Sequence, residues 1–408
     1  MPKQNSRSQF EFVALMAALM SVTALSIDAL LPALDIIGEA VQSENPADNQ
    51  LLITMIFLGL GIGPMVFGPL SDSIGRKPSV YMGFGIFTIA SFICIYAQSL
   101  ELMVAGRILQ GVGLSAPRTV SIAIIRDMYD GDHMARIMSF VTVVFLLIPI
   151  VAPAMGQFIL IHYNWQGIFY VQIVISILVA LWFWMRQQET LSEANRIPFS
   201  VNRIIRGLTE TLSQAKTLGY TIISGFVVGS FLVYLSTSQQ IFQNQYGLKE
   251  EFPYIFAGLA IAMGIAIFLN GTFVVRFGME KMVTTSLLGF FGVSVLYIIL
   301  FHNAPHPNIY ILLLFFALQF FCIGFLFGNL RALAMEPVGH IAGIAAAITG
   351  LISTLMAVPI STFIGRFVME STLPLFIGFS VCGALSLAIL FFLKRKFHTI
   401  TPEVQYKD

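Results

Sequence analysis

Twelve apolar runs, each long enough to cross a lipid bilayer and most separated by short polar turns, leave this chain little choice of fold. They cover 12–34, 51–70, 79–98, 102–125, 136–160, 166–186, 218–243, 254–275, 282–302, 309–333, 341–365 and 373–394. A hydrocarbon core of about 30 Å takes roughly 20 apolar residues as a helix. Only 11% of residues are charged and 57% are hydrophobic, whereas a soluble domain carries about a quarter charged residues. A soluble fold would expose far too much apolar surface. The expected fold is therefore all-α and integral to the membrane, with twelve transmembrane helices. The run from Phe12 to Leu34 is longer than the apolar part of a secretory signal, and no small-residue cleavage site precedes Asp28, so it reads as a retained helix.

Basic residues set the orientation. With the N-terminus in the cytoplasm, Lys3, Arg7, Arg76, Lys77, Arg126, Arg136, Arg186, Arg196, Arg203, Arg206, Lys216, Arg276, Lys281, Arg331, Lys394, Arg395, Lys396 and Lys407 fall inside, while Lys249 and Arg366 fall outside. Such an asymmetry predicts both termini in the cytoplasm. The net charge of +1 gives no electrostatic case for a nucleic-acid partner. Cys94, Cys322 and Cys382 each sit inside an apolar run and read as small buried hydrophobes. The six histidines lie in or near loops, and no metal-ligand spacing, phosphate loop or nucleophile motif occurs, so no metal, cofactor or catalytic residue is expected.

The widest connection divides the runs six and six. The expected organisation is an N-terminal half at 1–186, a cytoplasmic linker at 187–217 and a C-terminal half with a short tail at 218–408. Within the linker, Val201, Ile204, Ile205, Leu208 and Leu212 recur at helical spacing, which suits either a helix lying on the membrane surface or a solvated linker. A weak internal repeat supports the split. Gly68 and Gly75, which bound a charged turn between the second and third runs, correspond to Gly271 and Gly278 between the eighth and ninth, with Val275 in place of Asp72. Two six-helix pseudo-repeats around a midplane cavity are a transporter architecture.

Ionisable residues inside membrane spans are costly and so mark function. The clear cases are Asp28, Arg107 and Arg118. Arg107 and Arg118 are eleven residues apart in the fourth run, which places them on one helix face about 16 Å apart. Gln110 and Ser121 fall near that face. Asp28 and Arg107 lie at similar depth and suit either a proton-exchanging pair or a fixed structural ion pair. Arg118 suits either substrate binding or helix packing. In the second half, Tyr234, Ser238, Phe316 and Gln319 are candidate substrate contacts, although such aromatics are more often plain packing. Pro149, Pro153 and Gly156 share one face of the fifth run and permit close helix approach.

The segment Gly68-Pro69-Leu70-Ser71-Asp72-Ser73-Ile74-Gly75-Arg76-Lys77-Pro78 resembles the loop 2–3 signature of the major facilitator superfamily. Ser26-Ile27-Asp28-Ala29-Leu30-Leu31-Pro32-Ala33-Leu34 resembles the first-helix signature of its Bcr/CflA drug-resistance transporters. Arg107 to Gly111, Arg126 to Tyr129 and Met138 to Phe140 fit the same group. Pro149 to Gly156 is similar to the antiporter motif of drug exporters, with Ala152 and Gln157 replacing two glycines. The resemblance implies the major facilitator fold and a proton-driven exporter in a bacterial inner membrane. It implies Asp28 and Arg107 as the coupling pair and Gly68, Asp72, Gly75, Arg76 and Lys77 as a conformational gate. Pro117-Arg118 departs from that group and adds a buried cation.

The expected function is proton-coupled efflux of small amphiphilic drugs by alternating access. The partners would be a small-molecule substrate, protons and the lipid bilayer, the chain acting as a monomer powered by the proton gradient without a cofactor. The alternative on the same fold is export or import of an endogenous anionic or zwitterionic metabolite. A membrane receptor or enzyme is the alternative from another class, and no feature of the chain supports it.

Overall fold

The computed structural model describes residues 8–303 and 306–398. Lys3, Arg7 and Lys407 lie outside the described residues, as does the side chain of His398. The first crossing is α1 (Gln9–Asp28) followed by a 3-10 turn and the short α2 (Leu34–Ala40). Then come α3 (Leu51–Ile74), α4 (Arg76–Ile95), α5 (Leu100–Met128), α6 (Gly131–His162) and α7 (Trp165–Arg186). A connecting helix, α8 (Val201–Ser213), leads to α9 (Ala215–Gln239), α10 (Phe252–Phe277), α11 (Met279–Phe301), α12 (Ile309–Met335), α13 (Ala342–Gly365) and α14 (Leu373–His398). Among the described residues eleven stretches are long and apolar enough to cross a membrane. One of them, Ile309–Gly365, holds both α12 and α13, which gives twelve crossings.

The crossings pack as two bundles. In the first, α5 lies against α3, α4 and α1, and α6 against α1. In the second, α9 lies against α13 and α12, and α11 against α12 and α14. The bundles meet where α3 faces α13 and α6 faces α10. The face that carries α8 is called the linker side below, and the other the far side. Small residues set the closest packing. A Cβ on Gly111 of α5 would stand 2.0 Å from the carbonyl oxygen of Ile56 on α3, so the two backbones touch.

Two elements differ from the sequence expectation. The first span is not one helix from 12 to 34, because α1 stops at Asp28. Pro32 has no N–H to give the carbonyl four residues back, that of Asp28, and its ring would clash there. The Gly68–Pro78 segment is not a water-exposed loop. Helix α3 runs to Ile74 and α4 restarts at Arg76, with Gly75 alone between them at φ +111°. Gly278 joins α10 to α11 in the same way at φ +80°, so the repeat is visible in backbone geometry. Both positions favour glycine because a Cβ is strained at such angles. In the linker, the residues at helical spacing form α8, which docks on the second bundle through its small-residue side: a Cβ on Gly207 would lie 2.4 Å from Ile344 of α13, and Glu210 meets His340. Its apolar side chains Val201, Ile205 and Leu212 stay exposed.

Candidate functional site

Asp28, the last residue of α1, is 5% exposed. Its side chain makes no ion pair or hydrogen bond among the described residues. The expected Asp28–Arg107 pair is not formed. Arg107 is fully buried and spends its donors elsewhere: Nε donates to the Leu52 carbonyl at 2.7 Å, Nη1 to Gln110 Oε1 at 2.7 Å and Nη2 to the Ser26 carbonyl at 3.1 Å. The guanidinium thus ties α5 to α1 and α3. Burial explains the arrangement, since each desolvated donor needs an acceptor and backbone carbonyls lie closest. Across from Asp28, on α9 of the second bundle, stands Tyr234. Its hydroxyl is buried with no hydrogen-bond partner among the described residues. Gly156 sits behind this point. A Cβ there would lie 2.0 Å from the Ala29 carbonyl oxygen, so α6 presses directly on the break after Asp28. Pro153 is buried on the same helix and Pro149 is half-buried.

The other candidate contacts do not converge on Asp28. Gln110 is fully buried; it accepts from Arg107 and donates to Ser91 Oγ on α4 at 2.7 Å. Ser121 donates back to the Arg118 carbonyl and Ser238 back to the Leu235 carbonyl. Gln319 turns into its own bundle and donates to Ser294 Oγ at 2.6 Å and to the Phe290 carbonyl at 3.2 Å, both on α11. Phe316 is packed against Tyr234, with ring centroids 5.2 Å apart, and against Phe376 at 5.4 Å. Arg118 differs from all of these. It is half-buried, and its guanidinium has no hydrogen bond or ion pair among the described residues.

At the linker end of the first bundle the charged segment closes on itself. Arg76 is 3% exposed; its guanidinium donates to Asp72 Oδ1 at 2.5 Å, Asp127 Oδ2 at 2.9 Å and Ser71 Oγ at 2.9 Å. The backbone amides of Arg76 and Lys77 each donate to a carboxylate oxygen of Glu189 at 2.9 Å. Glu189 therefore caps α4, where the helix dipole favours an anion. The Lys77 ammonium donates to the Trp184 carbonyl at 3.3 Å. Gly68 has open space where a Cβ would point. Sequence reasoning missed Asp127, although it lies within a segment that fits the family, and it missed Glu189, which carries no local signature.

Hydrogen bonds between the two bundles gather on the far side. Asp35 of α2 accepts from Gln239 Nε2 at 3.2 Å and Asn244 Nδ2 at 2.8 Å, both of the second bundle, and from Asn49 Nδ2 at 3.3 Å. Gln50 Nε2 donates to the Gly365 carbonyl at 3.2 Å, and Arg366 pairs with Asp48 at 3.4 Å. Midway along the same seam, a Cβ on Gly61 of α3 would lie 2.8 Å from Thr354 of α13. A separate cavity of about 510 Å³ lies at the linker end of the second bundle, lined by Lys216, Glu280, Lys281, Glu336 and Lys394 among others. It contains none of the mid-span charges.

Two six-crossing bundles with buried charges along their seam define a polytopic membrane transporter. The sequence profile of the Major Facilitator Superfamily matches residues 14–358, and the chain belongs to that family. It is 27% identical to a bicyclomycin resistance protein homolog of Haemophilus influenzae, over 96% of this chain and 98% of that one. It is 30% identical to an uncharacterized MFS-type transporter, YdgK, of Bacillus subtilis, over 89% and 90% of the two chains. Against the multidrug resistance protein MdtL of Shewanella oneidensis the identity is 27%, over 75% and 76%. Among solved structures, a D-xylose-proton symporter superposes with a TM-score of 0.68 at 15% identity, covering 97% of this chain and 98% of that one. That likeness concerns the fold. The expectations of an all-α major facilitator fold and of a Bcr/CflA-type transporter are borne out.

Proposed function

We propose that this chain exports small amphiphilic compounds across a bacterial inner membrane in exchange for protons, by alternating access. The observation that carries this reading is Asp28, a buried carboxylate on the seam with no basic side chain paired to it among the described residues. A buried charge without a partner is expensive, so such a group tends to take up a proton or a cationic ligand. As the seam opens first to one side and then to the other, Asp28 can load a proton from one phase and release it to the other. The names of the relatives, bicyclomycin resistance and multidrug resistance, agree with drug efflux. Arg76, Lys77, Arg126, Arg186 and Lys216 lie on the linker side and only a few basic residues on the far side, which favours a cytoplasmic linker side and cytoplasmic termini. The far-side hydrogen bonds then belong to a conformation sealed on the outer face. The chain works in this reading as a monomer without a cofactor.

The test is ethidium accumulation in everted bacterial membrane vesicles that contain the chain. Accumulation should follow the pH gradient and collapse when nigericin dissipates it. Accumulation that survives the loss of the gradient would refute the coupling.

A further inference from the structure

The cavity of about 510 Å³ at the linker end of the second bundle opens where α9 starts, α10 joins α11, and α12 and α14 end. Its walls carry Lys216, Lys281 and Lys394 together with Glu280 and Glu336. The carboxylates are not shared evenly. Lys216 takes both, at 2.8 Å from Glu336 and 3.9 Å from Glu280. The Lys394 ammonium donates to the Thr284 hydroxyl at 2.7 Å. Lys281 is exposed and stands 5.3 Å from the centre of the Phe277 ring. Neither Lys281 nor Lys394 pairs with a carboxylate among the described residues. The wall formed by α11 and α14 therefore carries positive charge that no anion of the protein offsets.

In the first bundle the corresponding place is filled by an anion. Gly75 matches Gly278, and just beyond Gly75 the amides of Arg76 and Lys77 each donate to a Glu189 oxygen at 2.9 Å. Beyond Gly278 the first turn of α11 has no capping side chain, and its residues Met279, Glu280 and Lys281 line the cavity. Opening amides of a helix favour an anion, and two ammonium groups beside them favour it further. We infer that this cavity binds a phosphate group, held between Lys281 of α11 and Lys394 of α14 beside the opening turn of α11. An anionic phospholipid is the source that the surface favours. Leu288, seven residues after Lys281, and Phe391, three before Lys394, share the faces of those lysines about one to two turns deeper, and both are exposed. Helices α11 and α14 pack side by side, so a headgroup in the cavity leaves its acyl chains along that apolar surface. Basic pockets between transmembrane helices hold phospholipid headgroups in this way. The cavity holds none of the mid-span charges, so the site stands whether or not transport is coupled to protons.

Calorimetric titration of the full-length purified chain in detergent tests it, with phosphatidylglycerol, phosphatidylcholine and inorganic phosphate as separate ligands. Phosphatidylglycerol, a net anion, should bind more tightly than phosphatidylcholine, whose own cation offsets its phosphate. Lys281→Gln and Lys394→Gln should each weaken phosphatidylglycerol by about fivefold, the loss expected for one lysine near a lipid phosphate, and should change phosphatidylcholine little. In the unmodified protein, phosphatidylglycerol should slow acetylation of Lys281 and Lys394 as read by mass spectrometry, relative to Lys249, which is exposed on the far side. Phosphatidylcholine should not. This second measurement does not depend on any variant folding. If inorganic phosphate alone shows the losses and the protection, the site is upheld and its ligand is a soluble phosphate. If neither phosphatidylglycerol nor inorganic phosphate protects both lysines, or if neither is weakened in the two variants, the site is overturned.

Discussion

Asp35 of α2 and Asn244, five residues beyond Gln239 at the end of α9, are joined by a 2.8 Å hydrogen bond that ties the first bundle to the second. Gln239 donates to the same carboxylate oxygen. In an α-helix two residues five apart point about 140° away from each other at 100° per residue. Residues Gln240–Gln245 instead form a π-helical turn, and both amides reach one acceptor. Such turns are rare and are frequent at functional sites.

We predict that Asp35→Ala releases the far side. Hydrogen bonds to a charged group contribute about 1.5–3 kcal/mol each, so losing two across the seam is enough to shift a two-state equilibrium substantially. Spin labels at Glu44 and Glu370, both exposed on the far side, in a background lacking Cys94, Cys322 and Cys382, should report a longer distance in the variant. An unchanged distance distribution would show that Asp35 does not hold the seal.

Asp28→Asn should abolish gradient-driven ethidium accumulation, to the level of vesicles without the chain, while membrane insertion and folded yield stay normal. The amide keeps the shape of the carboxylate and cannot exchange a proton at neutral pH. Wild-type accumulation by the variant would remove Asp28 from the coupling.

Arg76→Ala should slow transport at least about tenfold and leave dye affinity within about threefold, a change of under 1 kcal/mol. The buried guanidinium is shared by Asp72, Asp127 and Ser71 at the linker end, far from Asp28. Glu189→Ala should lower thermal stability by about 0.5–2 kcal/mol, as for the loss of a helix cap. Transport rates and dye titrations on the same preparations check the first, and thermal unfolding followed by size-exclusion chromatography checks the second. A large loss of affinity in Arg76→Ala would place it in the binding site instead.

Gly111→Ala should destabilise the chain by about 1–3 kcal/mol, the range for overpacking a filled core. Its Cβ would strike the backbone of α3, which cannot rotate away as a side chain can. Gly85→Ala, where a Cβ meets nothing within 4 Å, is the control and should stay within about 0.5 kcal/mol of wild type. Equal melting temperatures for the two variants would contradict the close α3–α5 contact.

The sequence alone determined the twelve crossings, the all-α membrane fold and the transporter family, because run length and charge exclusion are set residue by residue by the bilayer. It also picked out Asp28, Arg107 and Arg118, since an ionisable residue deep in an apolar run is visible without any contact map. Partnership could not be read this way. Depth and helix phase suggested Asp28 with Arg107, but the carbonyls of Ser26 and Leu52 lie nearer the guanidinium, and only the packing of α5 on α1 and α3 brings them there. Asp35 gains its meaning only from residues on the opposite bundle, Gln239 and Asn244. Glu189 closes on α4 from 113 positions beyond Arg76. Local pattern fixes what each helix must bury, whereas the pairing of long polar side chains across a seam depends on how the bundles dock, and only the tertiary structure decides that.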